Sequence, residues 1–146
     1  MKSIVIGLLL GFMAWQVSAG EEQWTTDLSK AQEKAKKEKK LVLVDFTGSD
    51  WCPPCKALHK NVFTSEEFLK YAKDNLVLVE LDFPHGKQQS EELKRTNKEL
   101  MDKYKVEGLP TVIVFDSEGK QLKRESGYDG TKPAQYIAKL KKLQKA

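Results

Sequence analysis

Short runs of consecutive apolar residues predict three buried strands. Residues 41–46 read Leu-Val-Leu-Val-Asp-Phe, residues 76–81 read Leu-Val-Leu-Val-Glu-Leu, and residues 111–115 read Thr-Val-Ile-Val-Phe. Runs of this length that are rich in β-branched and aliphatic residues are typical of strands covered on both faces. The third run is followed by a turn at residues 116–119, so we expect residues 121–125 to pair with it as a hairpin.

Between these runs the pattern becomes typical of helices. Residues 30–40 are rich in Ala, Glu and Lys and follow Asp27, a candidate N-cap. Ser65 begins a capping-box-like spacing that opens a helix to about residue 75. Two later helices are predicted from apolar positions that share one face, residues 90–104 (Leu93, Leu100, Met101, Tyr104) and residues 132–144 (Tyr136, Ile137, Leu140, Leu143).

The order of these elements predicts an α/β fold. Early strand–helix–strand units imply parallel pairing through right-handed crossovers, and the late hairpin adds an antiparallel edge. We therefore expect a three-layer α/β/α sandwich with a mixed central sheet. The chain of 146 residues shows no internal repeat or low-complexity linker and has a length suited to one domain.

The first 19 residues differ from the rest and are typical of a secretory signal peptide. Lys2 is their only charge, residues 4–15 are almost wholly apolar or small, and residues 17–19 place small side chains before a cleavage point. The apolar run is shorter than the ~20 residues of a membrane span, although an uncleaved anchor is the alternative. We expect a signal peptide over 1–19 with no stable membrane insertion after its removal, an arm over 20–26 and the domain over 27–146.

The charge pattern gives only weak support to nucleic-acid binding. Lys and Arg number 25 against 21 Asp and Glu, for a formal net charge of +4, and the two signs are interspersed along the chain. Such a balance favours solubility and forms no basic block. We therefore expect no nucleic-acid partner.

Cys52 and Cys55 are separated by two residues and lie between a predicted strand and a helix that runs to about residue 61. As a structural disulfide, the pair would close a loop too small to brace a fold. The spacing favours redox chemistry, in which one thiolate attacks a disulfide and a second thiol resolves the mixed disulfide. A helix N-terminus stabilises a thiolate, so Cys52 is the predicted nucleophile and Cys55 the resolving thiol.

Metal binding and haem attachment are the alternatives for this cysteine pair. A Cys₂His₂ zinc site would need both His59 and His85, and the two intervening prolines make the pair an awkward chelate. Haem attachment requires a His directly after the second cysteine, where Lys56 stands. We expect neither a metal nor a bound cofactor.

Three sequence elements together resemble the thioredoxin family over about residues 27–143. They are Asp45-Phe46 before the loop, the motif Trp51-Cys52-Pro53-Pro54-Cys55-Lys56, and Gly108-Leu109-Pro110-Thr111 ahead of a strand. The cysteine motif is highly specific when a distant x-Pro-Thr precedes a strand. Within the family the chain is similar to exported thioredoxin-like proteins and to the C-terminal domain of the membrane electron transporter that reduces periplasmic disulfide enzymes.

The resemblance implies a thioredoxin fold and a role for each matching residue. Pro110 matches the family's cis-proline, which lies against the cysteine pair and lets the backbone of Leu109 bind a substrate strand. Asp45 resembles the buried carboxylate that shuttles a proton to the resolving cysteine. Trp51 resembles the ring that covers the site.

The chain departs from the family pattern near the predicted buried carboxylate. Asp45 lies seven positions before Cys52, one more than in ordinary thioredoxin, so the intervening loop holds an extra residue. Glu80 stands where thioredoxin has a strand lysine. A second buried acid would raise the pKa of one of the two carboxyls.

The resemblance implies an enzyme that exchanges disulfides with exported protein substrates, in a bacterial periplasm or outside the cell, as a monomer. The direction of electron flow stays open: a reductase needs an electron source, for which a membrane thiol transporter is the candidate, and an oxidant needs an acceptor. The alternative is a non-catalytic peptide-binding or chaperone module that grips peptides at Leu109-Pro110. The presence of both cysteines favours the enzyme.

The prolines between the cysteines predict a redox potential between the extremes of the family. If Cys52 is the N-cap, Pro53 and Pro54 have no N–H to donate to its sulfur, and only the Cys55 N–H remains nearby. We expect moderate stabilisation of the thiolate and a potential within roughly −270 to −120 mV. Equilibration with glutathione buffers measures this potential, and a value outside the interval refutes the argument.

Overall fold

In the computed structural model, which describes residues 23–145, a five-stranded sheet lies between two layers of helices. The predicted signal peptide, residues 1–19, lies outside the described residues, as does the start of the predicted arm. No helix within residues 23–145 combines the length and the apolar character needed to cross a membrane. The strands are β1 (Trp24–Thr25), β2 (Leu41–Thr47), β3 (Leu76–Asp82), β4 (Thr111–Phe115) and β5 (Gln121–Ser126). The helices are α1 (Leu28–Glu38), α2 (Pro53–Leu58), α3 (Glu66–Asn75), α4 (Glu91–Lys103) and α5 (Pro133–Gln144), and a π-helical turn (His59–Phe63) continues α2.

The sheet is mixed, with the strand order β1-β3-β2-β4-β5. Strand β3 is parallel to both β1 and β2, whereas β4 is antiparallel to β2 and to β5. The predicted α/β sandwich with its late hairpin is therefore confirmed. The sequence pattern does not predict β1, because a strand of two residues is too short to show the alternation by which strands are recognised.

Alternation along β2 divides the core into two apolar clusters, one on each face of the sheet. Leu41 and Leu43 belong to the cluster formed with α2, α3 and α5, which we call the front cluster. Val42, Val44 and Phe46 belong to the back cluster, formed with α1 and α4. Because successive side chains of a strand point to opposite faces, Asp45 lies on the front side, toward α2. All of β2 is buried, as its apolar run predicts.

Side-chain caps begin three helices near their predicted starts: Asp27 caps α1, Ser65 caps α3 and Ser90 caps α4. Asp27 accepts a hydrogen bond from the Lys30 N–H at 3.0 Å, and Ser65 accepts one from the Phe68 N–H at 3.3 Å. Because Asp27 is the cap, α1 begins at Leu28, two residues before the predicted start at residue 30. The helix ends at Glu38, two residues before the predicted end at residue 40. Lys39 ends the helix in the left-handed conformation, with φ 55°.

Phe63, at the end of the π-helical turn, joins three elements of the front cluster. Its ring centroid lies 5.2 Å from that of Trp24, 5.1 Å from that of Phe68 and 5.8 Å from that of Tyr136. The side chain is fully buried. Strand β1 and helices α3 and α5 are therefore packed around the segment that follows the cysteine helix.

Replacing Phe63 with Ala should lower the free energy of unfolding by about 3–5 kcal/mol, the usual cost of deleting a buried aromatic ring. Urea unfolding followed by circular dichroism measures this loss. Lys60→Ala is the matched control, because it removes an exposed side chain from the same turn and should change the stability by less than about 0.5 kcal/mol. Equal stabilities of the two variants would contradict the packing described here.

Candidate active site

Cys52 and Cys55 form a disulfide at the N-terminus of α2. Cys52 is the N-cap residue, with φ −91° and ψ 109°, and Cys55 lies in the first turn. Their Cα atoms are 5.2 Å apart, and the two residues are only 3% and 2% exposed. The predicted position of the pair, at the junction that leads from β2 into a helix, is confirmed.

Pro53 and Pro54 occupy the first two positions of α2, as the spacing predicts. Neither residue has an N–H, and within the described residues Cys52 makes no side-chain capping hydrogen bond in this oxidised state. The Cys55 N–H, which sequence analysis leaves as the nearby donor, therefore does not reach the Cys52 sulfur. Cys55 Sγ does have a donor, the Gly48 N–H at 3.5 Å.

The Leu109–Pro110 peptide bond lies beside the disulfide and is cis, as the family resemblance implies. The carbonyl oxygen of Leu109 is 3.7 Å from Cys52 Sγ. A disulfide sulfur has no proton to donate, whereas a Cys52 thiol in this place could donate one to that oxygen. Pro110 is buried and Leu109 is half-buried, so Leu109 remains partly accessible next to the cysteine pair.

Trp51 is the only large hydrophobic residue that is exposed within residues 23–145, with an exposed fraction of 41%. Its indole Nε1 donates a hydrogen bond to the Phe83 carbonyl at 2.8 Å, and its ring stacks on His85 at 4.3 Å with 1° between the planes. Gly48 leaves room for the ring, because a Cβ there would lie 2.6 Å from the nearest indole atom. The ring is therefore held in place directly before Cys52.

Asp50 ties the loop after β3 to the loop that carries the cysteines. Its carboxylate accepts hydrogen bonds from the His85 N–H at 2.9 Å and from the Gly86 N–H at 2.6 Å. These two hydrogen bonds lower the pKa of Asp50, and the one from His85 has the larger effect. The sequence alone assigns Asp50 no role and His85 only that of a candidate zinc ligand, so this contact is not predicted. The partners lie 35 positions apart, and no periodic pattern links them.

Asp45 and Glu80 lie side by side on β2 and β3. Their Cα atoms are paired in the parallel register, so both side chains point to the front side of the sheet. Asp45 is 3% exposed, and its Oδ1 finds no hydrogen-bond partner among the described residues.

The surroundings of these two acids favour their protonated forms. Burial first, then the charges of Glu80 and Asp82, raise the pKa of Asp45 well above its ordinary value. Burial and the charge of Asp82 also raise the pKa of Glu80, against smaller opposing effects of His59 and Lys87. The charge of Glu80 raises the pKa of Asp45, as predicted, although Glu80 is only half-buried.

The two histidines of the zinc alternative lie in different surroundings. His59 is exposed and lines a groove beside Cys55, whereas His85 stacks on Trp51. Within residues 23–145, no group of three or more His, Cys, Asp or Glu residues is arranged to hold a metal ion.

The chain belongs to the thioredoxin-like family. Residues 28–144 match the family model described as a thioredoxin-like domain. The Disulfide bond reductase DsbH of Chlamydia pneumoniae is 38% identical over 125 residues, which cover 86% of this chain and 74% of that protein. The solved structure of a DsbH Oxidoreductase superposes with a TM-score of 0.77 at 38% identity, and the match covers 84% of each chain.

Two further relatives are much longer proteins. The Thioredoxin-related protein DsbJ of Chlamydia pneumoniae is 34% identical over 101 residues, and the Thiol:disulfide interchange protein DsbD of Photorhabdus laumondii subsp. laumondii is 33% identical over 106 residues. The matches cover 69% and 70% of this chain but 29% and 17% of those proteins. With the cysteine pair at the helix N-terminus, these similarities identify the chain as a thiol–disulfide oxidoreductase of the thioredoxin fold.

Replacing Asp45 with Asn should stabilise the protein increasingly as the pH rises. In the unfolded chain the carboxyl of Asp45 loses its proton near a pKa of about 3.9, whereas in the folded chain it keeps the proton to higher pH. Between these two values the folded state binds more protons, so the free energy of unfolding of the wild type falls as the pH rises. The cost is roughly 1.4 kcal/mol for each unit of pKa difference, and Asn does not incur it.

Urea unfolding of the wild type and Asp45→Asn from about pH 4 to about pH 7 measures this difference. Asp74→Asn, which changes an exposed acid of α3, is the matched control and should follow the wild type. A difference between Asp45→Asn and the wild type that stays constant over the range would contradict the raised pKa of Asp45.

Proposed function

We propose that this chain is an exported disulfide reductase, which keeps the cysteines of other exported proteins reduced. The observation that carries the proposal is the pair Cys52 and Cys55 at the N-terminus of α2, with the Leu109 carbonyl 3.7 Å from the Cys52 sulfur. The similarity to a protein named Disulfide bond reductase supports the same direction of electron flow.

The prolines of the first helical turn also support the reducing direction. A site that strongly stabilises its thiolate is a strong oxidant, because its reduced form is favoured over the disulfide. Pro53 and Pro54 remove two backbone N–H groups that would otherwise stabilise a thiolate at Cys52. The disulfide form of this site is therefore favoured more than the disulfide form of a strongly oxidising site. As a result, the Cys52–Cys55 dithiol gives up its electrons more readily.

In the proposed reaction the Cys52 thiolate attacks one sulfur of a substrate disulfide. A bond forms between Cys52 and that sulfur, the substrate S–S bond breaks, and the other substrate sulfur leaves as a thiolate that takes up a proton. Cys55 then loses its proton and attacks Cys52 Sγ, which forms the enzyme disulfide and releases the second substrate thiol. Counted from the dithiol, the enzyme loses two electrons and two protons, one proton when Cys52 ionises and one when Cys55 does, and the substrate gains two electrons and two protons as its two thiolates are protonated.

The residues around the cysteines would hold the substrate and move the proton. Leu109 and Pro110 present backbone to an extended substrate segment beside Cys52. Trp51 and Leu109 line a groove of about 500 Å³ that is suited to neighbouring substrate residues. Asp45, on the front side toward α2, would act as the acid–base group for Cys55.

Export and an electron donor complete the proposal. Residues 1–19 would act as a cleaved signal peptide and deliver a monomer, without a bound cofactor, to the periplasm or the cell exterior. Because such compartments are oxidising, each turnover leaves an enzyme disulfide that a donor must reduce. We propose a membrane thiol transporter as this donor, and the similarity to part of a protein named for thiol:disulfide interchange supports a partner of this class.

Insulin reduction in the presence of a small dithiol tests the proposed function. The wild type should accelerate the reaction, and Cys52→Ser should return it to the uncatalysed rate because the nucleophile is lost. Cys55→Ala should retain the first attack and accumulate a mixed disulfide with the substrate, visible by mass spectrometry under non-reducing conditions.

Lys60→Ala keeps both cysteines and should retain the wild-type rate. A wild type that fails to accelerate insulin reduction would overturn the reductase proposal and favour the peptide-binding module.

A further inference from the structure

A groove of about 730 Å³ opens beside Cys55 on the front side of the sheet. Its lining includes Cys55 and Glu80, together with the basic side chains of Lys56, His59 and Lys87. Leu109 does not belong to this lining among the described residues. The groove and the proposed substrate groove share Lys87 but not Trp51 or Leu109, so this groove opens to solvent on a different side of the cysteine pair.

Cys55 needs such a route for its proton. The thiol must lose a proton when it resolves a mixed disulfide and regain one when the enzyme disulfide is reduced. Asp45 is poorly placed to exchange this proton with water, because it is 3% exposed and is absent from the groove lining of the described residues.

Glu80 connects the buried acid with the groove. It is the Cα partner of Asp45 in the parallel register, and its half-buried side chain lines the groove together with Cys55. Glu80 is the only acidic residue among the described residues that line the groove. Glu80 is therefore the neighbour of the buried acid in the sheet and is also open to the water of the groove.

The groups that face Glu80 act on it in opposite directions. Burial and Asp82 favour its protonated form, whereas His59 and Lys87 favour its carboxylate. The net result is a raised pKa of Glu80, which suits a group that accepts a proton from a buried site. The titratable and charged groups around it are Asp45 on β2, Asp82 on β3, Cys55 and Lys56 on α2, His59 on the π-helical turn and Lys87 after β3.

We propose that Glu80 is a second proton carrier of the reaction, which passes the Cys55 proton between the buried site and the water of the groove. The inference rests on the proposed function. During resolution the Cys55 S–H bond breaks, its proton passes through Asp45 and Glu80 to water, and the Cys55 sulfur forms its bond to Cys52 Sγ as the substrate thiolate leaves. Reduction of the enzyme disulfide returns a proton to Cys55 by the reverse route.

The test is the pH dependence of the resolution step in Glu80→Gln. Reduced protein is mixed rapidly with an aromatic disulfide whose two thiolates absorb light when released. The first phase reports the attack by Cys52, and the second reports the attack by Cys55. We expect Glu80→Gln to lower the plateau rate of the second phase by roughly 10²-fold, as expected for loss of a positioned acid–base group, and to leave the first phase unchanged.

A purely electrostatic role of Glu80 predicts a different result. Loss of the Glu80 charge would then lower the pKa of Asp45 and move the profile of the second phase to lower pH, with its plateau unchanged. That result would overturn the proposal. Glu80→Asp keeps an acid at this position and should recover most of the second-phase rate that Glu80→Gln loses. If Glu80→Asp does not recover that rate, the role of Glu80 as a proton carrier is also contradicted.

Two further variants complete the experiment. Glu92→Gln makes the same chemical change on the exposed surface of α4 and should leave both phases unchanged. Lys87→Gln alters an exposed residue and keeps Glu80, so it provides a test even if Glu80→Gln does not fold. Because Lys87 favours the Glu80 carboxylate, its loss should move the midpoint of the second phase to higher pH, and an unchanged midpoint contradicts the proposal.

The outcome also separates the two proposals. A wild type that releases neither thiolate overturns the proposed function and the proton carrier with it. A wild type that shows both phases, with Glu80→Gln equal to it at every pH, overturns the proton carrier and leaves the proposed function standing.

Discussion

The parallel register of β2 and β3 places the acidic residues next to the cysteine helix. It pairs Asp45 with Glu80 and Thr47 with Asp82, at the end of β2 that leads to the cysteines. A shift of one residue would turn every side chain of a strand to the opposite face of the sheet. Apolar side chains cover both faces of these strands, so a shifted strand would carry its acid into the apolar back cluster. The cost of burying an unpaired polar group there, together with the packing of the apolar neighbours, therefore specifies the register.

The same end of β3 also holds the cysteine loop. Ser49 donates hydrogen bonds to the Asp82 carboxylate from its N–H at 3.0 Å and from its Oγ at 2.5 Å. Trp51 bonds to the Phe83 carbonyl, and Asp50 accepts bonds from the loop beyond it. The cysteine loop, one residue longer than in ordinary thioredoxin, is thus held by three successive side chains to the end of β3 and to the segment that follows it. This arrangement holds the N-cap cysteine and its neighbouring ring as one unit.

The two sides of the disulfide have different tasks in the proposed reaction. Substrate would approach Cys52 beside Leu109, while the proton of Cys55 would leave through the groove that Glu80 lines. Separate routes have a physical advantage, because the mixed disulfide fills the substrate side at the moment when Cys55 must lose its proton. The raised pKa values of Asp45 and Glu80 suit this task, since each acid is more easily protonated than an exposed carboxyl.

Sequence by itself determined the elements that have local or periodic signals and the groups able to do the chemistry. Strands buried on both faces leave continuous apolar runs, helix caps leave Asp27 and Ser65, and the cysteine motif together with Pro110 marks the family. Only the tertiary structure decided which distant groups meet: β1 against β3, Asp50 with His85, and Glu80 with the groove beside Cys55. The physical reason is that such contacts join residues far apart in the chain through the packing of other residues, so they leave no pattern in the local sequence.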